Sequence, residues 1–329
     1  KTSPEEIVAL AQLLQWPIIC SPQARIKAEH CVSNFDQLLR QERWRETVRP
    51  QVILRFGELP SSKVLTQFVA DANAELYIAD PLRWNNPTHS ASQTLAGTTW
   101  AGDLLNAKPE PADSEWLNLW NQANSSVQSV IDEEISGADY LSGPSIVRQV
   151  AATATDAAIF LASSMPIRDF EWFAQCNGTP VFANRGANGI DGLISTAAGL
   201  AQSVGKTIAI IGDIAFLHDS NALIELQRSN LDLTIVVVDN NGGQIFSHLP
   251  QSSLLPSEVF EKLFVTSRDV NLVKLCESMG IQVADWTSGT FTDATANLAA
   301  NKPRVVIARS ANDSDLYARI ASEVSSALS

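Results

Sequence analysis

The sequence predicts an α/β protein whose larger part is a doubly wound parallel sheet, preceded by a smaller α/β domain. Three observations carry that expectation. Short Ile- and Val-rich runs alternate with helical stretches after Gly143-Pro144. Those runs are continuously apolar and do not alternate with polar residues, which marks strands covered on both faces. At 329 residues the chain also exceeds a single ordinary core.

Taken in order, Pro4–Leu14 reads as a helix of linker character. Val52–Phe56 is a strand, Gly57 and Pro60-Ser61-Ser62 form a turn, and Lys63–Ala70 is a helix leading to the strand Glu75–Ile78. Strand, helix, strand is the unit of a small parallel domain. The stretch Lys108-Pro109-Glu110-Pro111-Ala112-Asp113 breaks the pattern, and the amphipathic Trp116–Ile135 that follows is a packing helix. The expected division is therefore 1–135 for the smaller domain and 136–329 for the larger one. In the larger one the strands are Ala158–Ala162, Pro180–Ala183, Thr207–Ile211, Leu233–Val238, Ile281–Ala284 and Arg304–Ala308, with Phe216–Arg228 as a crossover helix.

Composition removes several function classes. Hydrophobic residues make up 45% and charged residues 18%, which excludes a disordered chain. A formal net charge of −13 with no basic block disfavours nucleic acid and anionic lipid. An anionic ligand would need a bound cation or a few placed Arg side chains. No apolar run approaches the roughly 20 residues of a membrane span, and residues 1–15 lack a signal-peptide pattern, so a cytoplasmic protein is expected. Cys20, Cys31, Cys176 and Cys276 show no CxxC spacing and read as reduced structural thiols.

Ligands of a doubly wound sheet sit beyond the carboxyl ends of its strands. Thr207–Ile211 runs into Gly212-Asp213, and Leu233–Val238 runs into Asp239-Asn240-Asn241-Gly242-Gly243. One right-handed crossover brings these ends to the same edge. A carboxylate, an amide carbonyl and a backbone carbonyl are hard oxygen ligands of the kind Mg²⁺ takes beside a phosphate. The glycines admit backbone close to a ligand. Each segment alone is an ordinary turn; together they read as a metal–diphosphate site. Rival motifs fail on spacing: Gly199–Thr207 has one residue too many for a Walker A loop, and Gly186, Gly189 and Gly192 do not make GxGxxG. His30, His89, His218 and His248 have no metal-ligand spacing, although His218 and His248 fall near the proposed site.

The segment Gly212-Asp213 to Asn240-Asn241-Gly242-Gly243 resembles the metal–diphosphate motif of thiamine-diphosphate-dependent enzymes. Asn184-Arg185-Gly186-Ala187-Asn188-Gly189-Ile190-Asp191-Gly192, Ser163-Ser164-Met165-Pro166-Ile167-Arg168 and Gly243-Gln244-Ile245-Phe246-Ser247 narrow the resemblance to the 2-succinyl-5-enolpyruvyl-6-hydroxy-3-cyclohexene-1-carboxylate synthases of menaquinone biosynthesis. The resemblance implies the thiamine-diphosphate-binding fold for 136–329 and a central domain for 1–135. It implies that Asp213, Asn240 and the Gly242 carbonyl hold Mg²⁺ or Mn²⁺, and that Ile190, Gly212, Gly243, Gln244 and Ile245 complete the cofactor set. Ser164, Arg168 and Arg185 fall where the family holds isochorismate, with Phe246 walling the pocket. Two guanidinium forks suit carboxylates in an acidic protein. Lys63 is a further candidate cation, with simple solvation at a helix start as its alternative. Asn188 stands where the family commonly has Ser, and Asp239 where it has Asn.

The implied reaction joins decarboxylated 2-oxoglutarate to isochorismate in a homodimer or homotetramer. An acetolactate-synthase-like or decarboxylase-type enzyme and a non-catalytic nucleotide-binding module are the alternatives. The family's activating Glu lies on an N-terminal domain, and no carboxylate here takes its position. With Lys1 in place of an initiator Met, the expectation is a fragment inactive by itself.

Overall fold

A computed structural model describes residues 2–58, 61–80, 86, 89–95, 99–175, 178–184, 186, 188–311 and 313–328. By its contacts the chain divides into one unit of Lys1–Ile131 with Ala321–Ser329, and a second of Asp132–Ile320.

The first unit holds a parallel sheet of β1 (Val52–Phe56), β2 (Glu75–Ala79) and β3 (Gln93–Leu95), in that order. The helix Lys63–Asp71 crosses from β1 to β2. It starts at Ser62, whose Oγ accepts from Leu65 N at 3.0 Å and donates to the buried Asp36 carboxylate at 2.5 Å. One side chain thus caps the helix and ties it to Phe35–Leu39. The predicted packing helix runs Ser114–Ser136, and in this unit its Trp120 is sealed edge-on by Trp44 and Trp116, with ring centroids 5.6 and 6.4 Å away.

The second unit holds a six-stranded sheet: β4 (Ala158–Leu161), β5 (Val181–Ala183), β6 (Thr207–Gly212), β7 (Leu233–Asp239), β8 (Gln282–Trp286) and β9 (Arg304–Arg309). The spatial order is β5-β4-β6-β7-β9-β8, and every pairing is parallel. Alternate residues feed two cores. Ile159, Leu161, Ile208, Ile210, Val236 and Val306 pack on one face with the helices Gly143–Thr153 and Met165–Phe173. Phe160, Ala209, Ile211, Ile235, Val237 and Ile307 pack on the other with Leu193–Val204 and Leu272–Ser278. Helices on both faces explain why the strands read as unbroken apolar runs, and the doubly wound expectation holds.

One expected element differs. Phe216–Arg228 is not a single helix: it is broken into Asp213–His218, a 3-10 turn Ser220–Ala222 and Leu223–Leu226. The break sits at Asp219, whose buried carboxylate turns back to accept from Ile194 N at 2.7 Å and Ser195 N at 3.3 Å. It thereby caps Leu193–Val204, whose own cap residue Gly192, at φ +68°, has no side chain to offer.

Candidate functional site

The chain reverses direction across the sheet between β4 and β6, since β5 lies outside β4 on one side and β6 on the other. Such a switch point opens a crevice at the strands' carboxyl ends. There β4 delivers Ser163 and Ser164, β6 delivers Gly212 and Asp213, and β7 delivers Asp239 and Asn240.

Asp213 is the buried centre of this edge. Its Oδ2 accepts from Gly242 N at 2.7 Å and its Oδ1 from Ile214 N at 2.8 Å, so one carboxylate ties the end of β6 to the loop after β7. Burial pushes its carboxyl up to about 6, against those two backbone donors and with help from the charge of Asp239. Asp239 itself pairs with Arg309, which also reaches Asp285 at 2.8 Å.

The loop is held from behind. Gly243 N donates to Val265 O at 2.7 Å, and a Cβ on Gly242 would meet that same oxygen at 2.4 Å. Gly242 adopts φ +127°, a conformation that L side chains rarely take. A Cβ on Gly243 would lie 2.6 Å from Phe264 O. Glycine is needed at both positions by the contact with 264–265. The Asn240 carbonyl accepts from Gln244 Nε2 at 3.2 Å, and Gln244 Oε1 accepts from Ser247 Oγ at 3.1 Å. Ile245 is half-buried, and the partly exposed Phe246 ring meets Phe264 at 5.5 Å.

At the β4 end, Ser164 sits at φ +76°, a strained position for a side-chain-bearing residue. Its carbonyl accepts from Arg168 Nη1 at 2.7 Å, which folds the guanidinium back over the start of the helix Met165–Phe173. The neighbouring Ser163 Oγ is buried without a hydrogen-bond partner. Ile190 is exposed. Arg185 lies outside the described residues. Lys63 opens its helix in the first unit and is exposed. His218 is exposed at the end of its helix.

The residues therefore fit a divalent cation beside a diphosphate on the chemistry of the donor set. Asp213, the Asn240 amide and the Gly242 carbonyl are oxygens from two adjacent strand ends, and Ser163 Oγ is an orphaned polar atom at the same edge. Among the described residues no group of three or more His, Cys, Asp or Glu could hold a metal. Two of the three proposed ligands are neutral, so this set is not an acidic cluster.

A second group at this edge brings in Asp169, Asp313 and Tyr317, which the sequence does not single out, beside His248, which it places near the site. Asp169, Asp313, Tyr317, His248 and Gly143 line a small cavity together with Asn240 and Gln244. Tyr317 OH donates to Asp169 Oδ1 at 2.5 Å, and Gly143 N donates to Asp313 Oδ2 at 2.6 Å. Burial drives Asp169 up to about 8, which overrides the Tyr317 hydrogen bond; Asp313 rises to about 6 for the same reason. The His248 ring meets Tyr317 edge-on at 4.9 Å. Asp313 follows β9, so attention to every strand end was the one signal that could have found it.

Two family models match the chain. The middle domain of thiamine pyrophosphate enzymes covers residues 1–161, and the thiamine pyrophosphate enzyme C-terminal TPP-binding domain covers 172–308. Among curated proteins, the 2-succinyl-5-enolpyruvyl-6-hydroxy-3-cyclohexene-1-carboxylate synthase of Synechococcus elongatus is 37% identical over 289 residues, which is 84% of this chain and 49% of that protein. The synthase of the same name from Geobacillus kaustophilus is 33% identical over 287 residues, with the same coverages. That of Listeria innocua is 32% identical over 280 residues, 81% of this chain and 48% of the relative. The chain spans about half the length of the curated relatives it matches.

Proposed function

The chain belongs to the thiamine pyrophosphate enzymes, with a middle and a C-terminal TPP-binding domain, and from that premise we propose that it is part of a transferase joining decarboxylated 2-oxoglutarate to isochorismate. The observation that carries the reading is the Asp213–Gly242 bond, which fastens two strand ends into one metal–diphosphate loop. The names of the relatives supply the direction of the chemistry.

In this reading residues 1–135 are the central domain and 136–329 the diphosphate- and metal-binding domain. Thiamine diphosphate, when bound, supplies the electron sink that decarboxylation of a 2-oxoacid requires. Asp213, Asn240 and the Gly242 carbonyl hold Mg²⁺ or Mn²⁺ against the diphosphate. Gly212, Gly243 and Gln244 keep the loop open to it, and Ile190 and Ile245 wall the cofactor with apolar surface. Ser164, Arg168 and Arg185 orient the carboxylates of the second substrate, with Phe246 excluding water. The protein works in the cytoplasm as a homodimer or homotetramer, and residues 1–329 by themselves are inactive.

The test is carbon dioxide release from 2-oxoglutarate, with Mg²⁺ and cofactor, in the presence and absence of isochorismate. In the complete enzyme, Arg168→Ala should lower kcat/KM for isochorismate at least about tenfold while cofactor affinity persists, the scale for losing a charge-assisted hydrogen bond. An enzyme that turns over pyruvate and ignores isochorismate would establish the acetolactate-synthase-like alternative. Full activity of residues 1–329 alone would overturn the inactivity.

A further inference from the structure

The sequence treats the four cysteines alike, and the structure does not. Cys20 and Cys31, both half-buried, place their Sγ atoms 3.0 Å apart. Val32 N donates to Ile18 O at 2.8 Å, so the backbone already holds the two segments together beside the thiols. Between them run two single-turn 3-10 helices, Pro22–Ala24 and Ala28–His30. Cys20 also lines an apolar cavity of about 260 Å³ in the first unit, with Leu10, Phe56, Leu65 and Trp120 among its walls. Cys276, by contrast, is fully buried in the sheet core, and burial pushes its thiol up to about 12, which leaves it inert.

We propose that Cys20 and Cys31 form a reversible intramolecular thiol–disulfide couple, a redox modification site separate from the metal–diphosphate edge. The geometry favours a bond: a disulfide needs sulfurs about 2.05 Å apart, so closure takes about 1 Å of side-chain movement on a backbone already paired. The oxidant is a small disulfide such as oxidised glutathione. The thiolate of one cysteine attacks it, its S–S bond breaks, and one glutathione thiol departs. The second cysteine then attacks the protein sulfur of the mixed disulfide, the Cys20–Cys31 bond forms and a second glutathione thiol leaves. Two electrons pass to the oxidant, and the two thiol protons end on the two released glutathiones. The product closes the 20–31 segment into a loop beside the cavity and restricts the unfolded chain.

The experiment equilibrates the purified protein in glutathione buffers from reducing to oxidising, quenches by alkylation and digests with trypsin without reduction. Cleavage after Lys1, Arg25, Lys27 and Arg40 leaves Cys20 in Thr2–Arg25 and Cys31 in Ala28–Arg40. The expected result is a linked pair of these two peptides, the loss of two of the four thiols, and full recovery with dithiothreitol. The native midpoint should lie at least about tenfold toward the reducing side of the urea-unfolded chain, since only the fold brings the sulfurs together. The linked pair should also raise the melting temperature, and Cys31→Ser should abolish that rise. No linked pair in the most oxidising buffer, pairing of either thiol with Cys176 or Cys276, or equal midpoints for native and unfolded chain would each overturn the proposal.

Discussion

Asp213 and Asp169 are both carboxyls withdrawn from water, and burial raises both, Asp169 the further. Asp213 accepts two backbone N–H bonds and keeps further lone pairs, so in the proposed reading a bound cation would offset its burial. Asp213→Asn retains the acceptor toward Gly242 and removes the charge. It should weaken Mg²⁺-dependent binding of thiamine diphosphate at least about tenfold by calorimetry, the scale for losing even an outer partner of a metal site; unchanged affinity would remove Asp213 from the site. At Asp169 burial outweighs the tyrosine donor and the partial relief of Arg168, the charge of Asp313 adds to it, and the carboxyl rises to about 8. The folded protein therefore binds a proton that the unfolded chain releases near pH 4. Its contribution to stability is complete below that point and is lost as pH climbs through about 8. Asp169→Asn keeps an acceptor for Tyr317 and should flatten the fall of melting temperature between pH 5 and 8; parallel profiles for the two proteins would contradict the assignment.

The loop after β7 owes its shape to a backbone that leaves no room for a side chain. Gly242→Ala must move the loop or Val265, because the added carbon would sit 2.4 Å from a carbonyl oxygen. The expected outcome is lost metal and cofactor binding with the sheet intact, read as calorimetric silence beside an unchanged far-ultraviolet circular dichroism spectrum. The strands were legible because burial on two faces writes itself as uninterrupted Ile and Val, as in Leu233–Asp239. The proposed metal set could be assembled from the sequence because its members follow adjacent strands. The broken helix at Asp219 was not, because the break serves a helix 25 positions earlier in the chain. Nor was the Asp169–Tyr317 bond, which joins residues 148 positions apart and has no local pattern. β3 has three residues, Gln93-Thr94-Leu95, and too little apolar content to announce a strand.

Over the whole molecule, a formal charge of −13 gathers cations around the proposed metal site and repels the anions it is proposed to bind. Added potassium chloride does not compete for hard oxygen ligands, yet it screens this field over about 10 Å at 0.1 M. Raising it from 10 to 150 mM should weaken Mg²⁺ affinity several-fold, and titration calorimetry at constant pH would detect it; a flat response would mean that only local groups matter. The order of strands has a consequence for synthesis. β8 pairs with β9 and with no other described strand, and β9 inserts between β7 and β8. A nascent chain that has emitted β4 through β7 can assemble four strands, but it leaves the Val- and Ile-rich margin of β7 unpaired. That margin stays a template for pairing with other chains until residues 304–309 leave the ribosome. Overexpression that outruns chaperones should therefore fail by aggregation of truncated chains ending between β7 and β9.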